Sequence, residues 1–250
     1  MNINNELAKL IIFRKDDADK YLGGKKTYYW LSNAQKKGLI VKIKRDMYAV
    51  VDVTTNTVYA DKFMIASSIT KTAYISYHSA FEYHGVANQV FSDVTVADSK
   101  VFKSFEYDGI EYSFVRNSIN AGVLNIDSSV NIRVTDLERT VVDCIDDINL
   151  SGGIDELLNC IEQIRILDEN KIIVYLDAYN KVNLYQKAGY ILEQYKNEFK
   201  FTNKIFEHCL SKLNKSIKYF LKDEFKEVVL NKKWRLIAPK TLRNRTSGGV

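Results

Sequence analysis

Residues 25–50, KKTYYWLSNAQKKGLIVKIKRDMYAV, carry three signals in an order that few folds accept. A helical stretch comes first, a glycine break second and a short basic hairpin third. On the 3.6-residue period Thr27, Leu31 and Ala34 share one face, closed by Gly38 and Leu39, so this stripe needs a protein neighbour. Lys26, Tyr29, Ser32, Asn33 and Lys36 fall on the opposite face, with Lys25 just before the helix. After the break, Leu39-Ile40-Val41 and Met47-Tyr48-Ala49-Val50 are apolar and strand-forming, and Lys42, Lys44 and Arg45 cluster between them. A helix followed by a two-stranded wing, both basic, is the outline of a winged helix-turn-helix. In that module cations, a ring and an amide on the helix meet phosphates and base edges, and the wing meets the backbone. The plainer reading is a solvated basic helix beside an ordinary hairpin; the order of the elements favours a nucleic-acid contact.

The preceding residues fit the module. Leu7, Leu10, Ile11 and Ile12 suggest a first helix, and Asp16 to Leu22 a second with acidic residues in its first turn. Gly23-Gly24 then turns the chain into the third.

Charge is partitioned along the chain. The net charge of the 250 residues is +5, but residues 1–45 hold +7 and residues 231–250 hold +6, leaving the middle at −8. Basic ends around an acidic body point to a polyanion contact at the ends. The basic tail residues Lys232, Lys233, Arg235, Lys240, Arg243 and Arg245 are either a second such contact or a solvated end, with mobility expected only after Pro239. No run of 18 apolar residues and no signal-peptide core occur, so a soluble cytoplasmic protein without membrane contact is expected. Cys144, Cys160 and Cys209 are odd in number and widely spaced, which indicates neither a disulfide framework nor a zinc site.

The fold class expected is α+β: an N-terminal winged helix-turn-helix followed by a larger mixed α/β domain ending in a helical bundle. The expected boundaries are 1–55 for the DNA-binding module, 56–73 for a connecting helix and 74–250 for the second domain. Within the latter, Tyr74-Ile75 and Val94–Ala97 read as strands, and Ser76 reads as the cap of a helix from Tyr77 to His84. Asp108-Gly109 marks a hairpin inside 104–115, and Thr135-Asp136-Leu137-Glu138 fits a capping box opening a helix. From Ile154 to Leu221 the pattern is almost wholly helical, including Ser216–Leu221, and a last strand spans Trp234–Ala238.

Four segments resemble one family in order. Gly38-Leu39-Ile40 with Lys44-Arg45-Asp46-Met47-Tyr48 resembles the GLI…RGxY signature of AbiE-type antitoxins (the AbiEi family). Tyr74 to Ala80 with His84-Gly85, Val134 to Asp143, and Tyr185 to Tyr190 resemble its later segments. Asp46 stands where the family usually has glycine; Asp tolerates the left-handed conformation, so the wing turn is expected to survive. The resemblance implies an antitoxin and transcriptional autorepressor of a type IV toxin–antitoxin, abortive-infection system for phage defence. Its winged helix would bind double-stranded promoter DNA at inverted repeats. Its C-terminal domain would counteract a nucleotidyltransferase-like toxin without a stable complex.

No catalytic, metal or cofactor residues emerge from the remainder. His78, His84 and His208 lack metal-ligand spacing, and no phosphate-binding glycine loop occurs. Glu198-Phe199-Lys200 and Glu224-Phe225-Lys226 match a nuclease triplet by letters, in helical or polar surroundings. Asp136, Arg139 and Asp143 lie on one helical stripe, as an ion-pair ladder would. The protein is therefore expected not to be an enzyme. Two alternatives stay open: a repressor whose second domain is a kinase-like or nuclease enzyme, and a ligand-sensing transcription factor. For the antitoxin role, Tyr179, Asn183, Gln186 and Lys187 are expected as an exposed working surface, against the plainer reading that this region merely packs the bundle.

Overall fold

Glycines set the first turns of the chain. Gly23 and Gly24 both adopt positive φ (73° and 68°), which lets α1 (Lys15–Leu22) stop abruptly and α2 (Thr27–Lys36) start soon after it. The computed structural model describes residues 7, 10–24, 26–116, 119–127, 130–222 and 224–242. It is α+β, and its chain divides into two compact units.

The first unit comprises residues 1–76, 91–117 and 124–134. Its opening departs from expectation at Ile11 and Ile12. Ile11 takes φ 56°, which no helix continues, and Ile12 enters β1 (Ile12–Arg14). That strand pairs antiparallel with β3 (Met47–Asp52), which in turn pairs with β2 (Ile40–Lys44), giving the order β1-β3-β2. A strand before the two helices and a hairpin after them is winged-helix topology. Its core joins Leu7, Phe13, Ala18, Trp30, Leu31, Ala34, Ile40, Tyr48 and Val50.

The head continues into the rest of its unit without a linker. β4 (Thr57–Val58) pairs with β3, and α3 (Lys62–Ser68) is shorter than the connecting helix expected over 56–73. Two arginines tie down the C-terminal end of α3. Arg14 donates to the Ile69 carbonyl, and Arg133 donates to the carbonyls of Ser67, Thr70 and Ala73 at 2.8–2.9 Å. Cations on the orphan carbonyls of a helix end satisfy them and suit its dipole.

The same unit carries a six-stranded mixed sheet, ordered β7-β8-β6-β5-β10-β9. Its strands are β5 (Tyr74–Ile75), β6 (Asp93–Asp98), β7 (Phe105–Tyr107), β8 (Ile110–Arg116), β9 (Val123–Ile126) and β10 (Ile132–Thr135). β6 and β8 run parallel, with Val96 opposite Phe114, while β7 and β8 form the expected hairpin, Asp108 and Gly109 both at positive φ. Most of the sheet expected in the second domain thus belongs with the head, and the division expected at residue 55 moves. The reason is pairing: β5 is bonded on both sides to strands of this sheet.

The second unit comprises residues 77–90, 118–123 and 135–250. Its described helices are α4 (His78–Tyr83), α5 (Leu137–Asp146), α6 (Ile154–Gln163), α7 (Glu169–Tyr179), α8 (Val182–Glu193) and α9 (Asn203–Ser211), with a 3-10 turn at Ile148–Ser151. Two caps differ from expectation. Asp136, not Thr135, caps α5 by accepting from the Arg139 N–H at 2.8 Å, because Thr135 is still in β10. Ser76 makes no cap on α4, whose N-cap is Tyr77 at φ 54°. α5 is buried on nearly every side (Val141, Val142, Cys144 and Ile145 are 0% exposed), which makes it the core helix of this unit.

Residues 216–221, expected as a helix, instead enter β11 (Lys218–Tyr219). That strand joins β12 (Val229–Asn231) and β13 (Leu236–Ala238) in a three-stranded sheet ordered β11-β13-β12. The sheet is held to α8: the buried Gln186 amide donates to the carbonyls of Ser216 and Arg235, and the Trp234 indole donates to Glu193 at 2.8 Å. Leu242, beyond Pro239, is fully buried and its N–H donates to Gln194. The docked chain therefore continues past the point where mobility was expected; Arg243 and Arg245 lie outside the described residues.

Candidate nucleic-acid interface

The wheel drawn from sequence places α2 correctly. Thr27, Trp30, Leu31 and Ala34 are buried, while Lys26, Tyr29, Ser32 and Lys36 are exposed. Asn33 is only half-buried, and Lys25 lies outside the described residues. Tyr28 is a surface residue that the wheel passed over: it is exposed beside Tyr29, with Lys15 Nζ 4.7 Å from its ring centroid. The tandem Tyr28-Tyr29 was its only sequence signal.

Electrostatics sharpen this face. The acids of α1 are mostly engaged on their own helix, Asp19 with Lys15 at 2.5 Å and Asp17 with Lys20 at 2.9 Å. The hydrogen bond from Lys15 holds the Asp19 carboxyl below its usual range. The cations of α2 face no acid on their own helix.

In the wing, Lys42 and Arg45 are exposed. Asp46 takes φ 58°, so the aspartate does adopt the left-handed turn, and its carboxylate lies 3.5 Å from Arg45 Nε. Lys44 departs from expectation. Its Nζ sits 4.4 Å from the Phe105 ring centroid and 5.1 Å from that of Phe102. Burial against these rings, and next the charge of Arg14, lower its pKa. A lysine so placed is half withdrawn from solvent, and no local pattern around residue 44 could have announced two rings from sixty residues away.

The second unit gathers polar groups of its own. Arg139 Nε donates to Asp143 at 2.5 Å, its Nη1 donates to the carbonyls of Ile119 and Ala121, and Tyr179 donates to Asp143 at 2.6 Å. Burial pushes the Asp143 carboxyl up to about 6 against the pull of Arg139 and Tyr179. A carboxylate titrating near neutrality is what general-base catalysis wants. Here, however, the two side chains of the pair are 2% and 1% exposed, so in this conformation no substrate reaches them. The ladder read from sequence is therefore a sealed ion pair, with Asp136 serving instead as cap and as acceptor for Tyr175 and Lys171.

A second cluster escaped sequence reading altogether. His78, Glu156 and Cys160, brought from α4 and α6, have ligand atoms within 4.8 Å of one another, and all three are buried. His78 Nε2 lies 3.0 Å from Glu156 Oε1, and the Cys160 thiol donates to the same oxygen at 3.3 Å. The residue types suit a soft divalent metal. Yet Glu156 Oε1 also accepts the backbone N–H groups of Asn88 and Gln89 at 3.0 and 2.9 Å, and burial drives the Cys160 thiol up to about 12. An oxygen surrounded by four donors and a thiol held protonated describe a closed hydrogen-bond network better than a metal cradle.

The other two histidines are likewise engaged, His84 with the Thr135 carbonyl at 2.7 Å and His208 with Asp177 at 2.8 Å. Tyr179, Gln186 and Lys187, expected to be exposed, are buried: Gln186 binds the three-stranded sheet, and burial lowers the Lys187 pKa. Asn183 is exposed as expected, but α8 is buried on every side from Leu184 to Leu192, so it offers no working face there. Neither nuclease-like triplet lies on a strand.

Among the described residues no helix is long and apolar enough to cross a membrane. No protein-family model matches the chain, and no curated protein matches it. Among solved structures the chain is similar to the RV2827C protein from Mycobacterium tuberculosis. The TM-score is 0.66 at 14% identity, over 93% of this chain and 88% of that one. At such low identity the likeness concerns the fold alone.

Proposed function

We propose that the protein is a duplex-DNA-binding transcriptional regulator that uses α2 as recognition helix and the β2–β3 hairpin as wing. One observation carries this reading: Lys26, Tyr29, Ser32 and Lys36 are exposed on one side of α2, and Lys42 and Arg45 are exposed on the hairpin after it. A helix of this make-up suits a major groove, and flanking cations suit phosphates. From the resemblance of the four segments, the role is autorepression at inverted repeats in the protein's own promoter. The second unit would counteract a nucleotidyltransferase-like toxin in the cytoplasm, without catalysis and without a stable complex. The sealed state of the Arg139–Asp143 pair supports a non-catalytic second unit.

Fluorescence anisotropy with the full-length protein tests the DNA half. The duplex upstream of its own gene should bind more tightly than a scrambled duplex, and K26Q/K36Q and K42Q/R45Q should each weaken both duplexes and flatten the salt dependence. Equal, salt-insensitive binding of the two duplexes overturns the reading. The antitoxin half is tested by growth rescue in cells carrying the neighbouring toxin gene. Point variants serve better than a cut at residue 55, which would split the first unit. The repression-dead K42Q/R45Q protein should still rescue; failure to rescue would make silencing of transcription the whole of its protection.

A further inference from the structure

Lys44 stands where a wing would offer a phosphate contact, yet its ammonium lies over Phe105 and Phe102. Both rings are fixed from behind. Phe105 stacks on the fully buried Tyr112 (centroids 4.9 Å apart, planes at 10°), and Phe102 meets Phe114 edge-on at 5.2 Å. A cation over two immobilised rings is a directional contact that strengthens with desolvation. It brings the segment from Lys100 to Phe105 against the wing.

The composition of that segment bears on its role. Lys100-Val101-Phe102-Lys103-Ser104 holds two cations and no acid, and Lys100, Val101, Lys103 and Ser104 are exposed. The acid just before it, Asp98, is turned inward and fully buried, where it accepts from the hydroxyls of Thr70 and Thr72 and from the Lys100 N–H. Among the described residues neither Lys100 nor Lys103 forms an ion pair with an acidic side chain. Glu106 and Glu111 are exposed on the adjoining hairpin, opposite each other and one residue along from the ring-bearing positions, so strand alternation sends them to the other face from Phe105 and Tyr112.

We propose that Lys100 and Lys103 form a second phosphate-contacting arm beside the wing, and that Lys44 is the strut that positions this arm rather than a DNA contact. The inference rests on the DNA-binding reading above. It extends the basic surface from a head-only footprint to one that includes the loop after β6, supplied by a segment whose sequence position gives no hint of it.

Salt-dependent anisotropy of the full-length protein on its own upstream duplex and on a scrambled duplex separates the possibilities. Each phosphate contact contributes roughly 0.9 to the slope of log K against log salt. The K100Q/K103Q protein should therefore lose between one and two units of slope and weaken on both duplexes alike, leaving sequence preference unchanged. K44M keeps the packing stem and removes the charge. It should shift the slope less than K100Q/K103Q does, and little further when added to that pair. If the wild type binds DNA but K100Q/K103Q keeps its full slope, the arm is overturned while the winged-helix reading stands. Loss of a full unit of slope in K44M, independent of K100Q/K103Q, makes Lys44 a phosphate contact and removes the strut. A wild type without salt-dependent binding overturns both readings together. Both arm lysines are exposed, so circular dichroism should show K100Q/K103Q folded as the wild type.

Discussion

Gly189 shows how one atom can decide packing at the residue scale. It lies inside α8, where alanine would gain about 1 kcal/mol of helix propensity. A Cβ at this position would instead overlap the six-membered ring of Trp234, which is fully buried and pinned by its indole bond to Glu193. Overlap with a locked ring outweighs propensity. Gly189→Ala should therefore destabilise the protein by about 3 kcal/mol in urea unfolding. Combined with Trp234→Leu, which empties the space, the cost should be clearly less than additive. Additive costs would show that the two residues do not meet. The segment Tyr185–Tyr190 thus has a structural reason for its glycine that the sequence alone displayed only as a resemblance.

At the element scale the loop carrying Asn88 and Gln89 is held to α6 by a single carboxylate. Burial raises the Glu156 pKa, but hydrogen bonds from His78, Gln89, Cys160 and Asn88 outweigh it, and the net shift is downward. A carboxyl with a depressed folded-state pKa contributes stability above its unfolded value, and that contribution is lost as pH falls through the folded one. Stability should therefore decline as pH drops below about 4.3, the ordinary value for glutamate. Glu156→Gln should lower stability at neutral pH and flatten this acid limb, as read by denaturant unfolding across pH 3–7. An unchanged acid limb in that variant would remove Glu156 as its source. Helix, break and hairpin at 25–50 were legible because each rests on local rules: the wheel, the glycine and the left-handed Asp46 turn. The strand at Ile12 was not, because Ile11 and Ile12 suit helix and strand alike until β3 is there to pair with them.

At the scale of the whole molecule the C-terminal end behaves as part of the second unit. Leu242 is buried and bonded to Gln194; residues 243–250 lie outside the described residues. Removing 243–250 keeps Leu242 in place and serves as the reference. Removing 242–250 should cost about 2–4 kcal/mol for the lost side chain, a fall of roughly 5–10 °C for a chain of this size. Equal melting temperatures for the two truncations would show that the Leu242 contact contributes nothing in solution. The division into units also limits what deletion can test. A chain starting near residue 60 keeps β5 to β10 but loses the strands and helices that belong to the same unit.

The sequence by itself determined the α+β class, the winged-helix outline, the Asp108-Gly109 hairpin and the exposed cations of α2. Each is assembled from periodicity and turn chemistry that are local in the chain. Tertiary structure alone decided that α8 is buried on every side from Leu184 to Leu192, that Lys218–Tyr219 pair as a strand, and that His78, Glu156 and Cys160 converge. It also decided that Lys44 lies over Phe102 and Phe105. These outcomes depend on partners about 20 to 80 positions away, and a helical period shows one buried stripe without saying whether a second neighbour covers the other side. Gln186 is the clearest instance: its amide reads as surface in any local window, and only the docking of β13 and β11 gives it two carbonyls to bind.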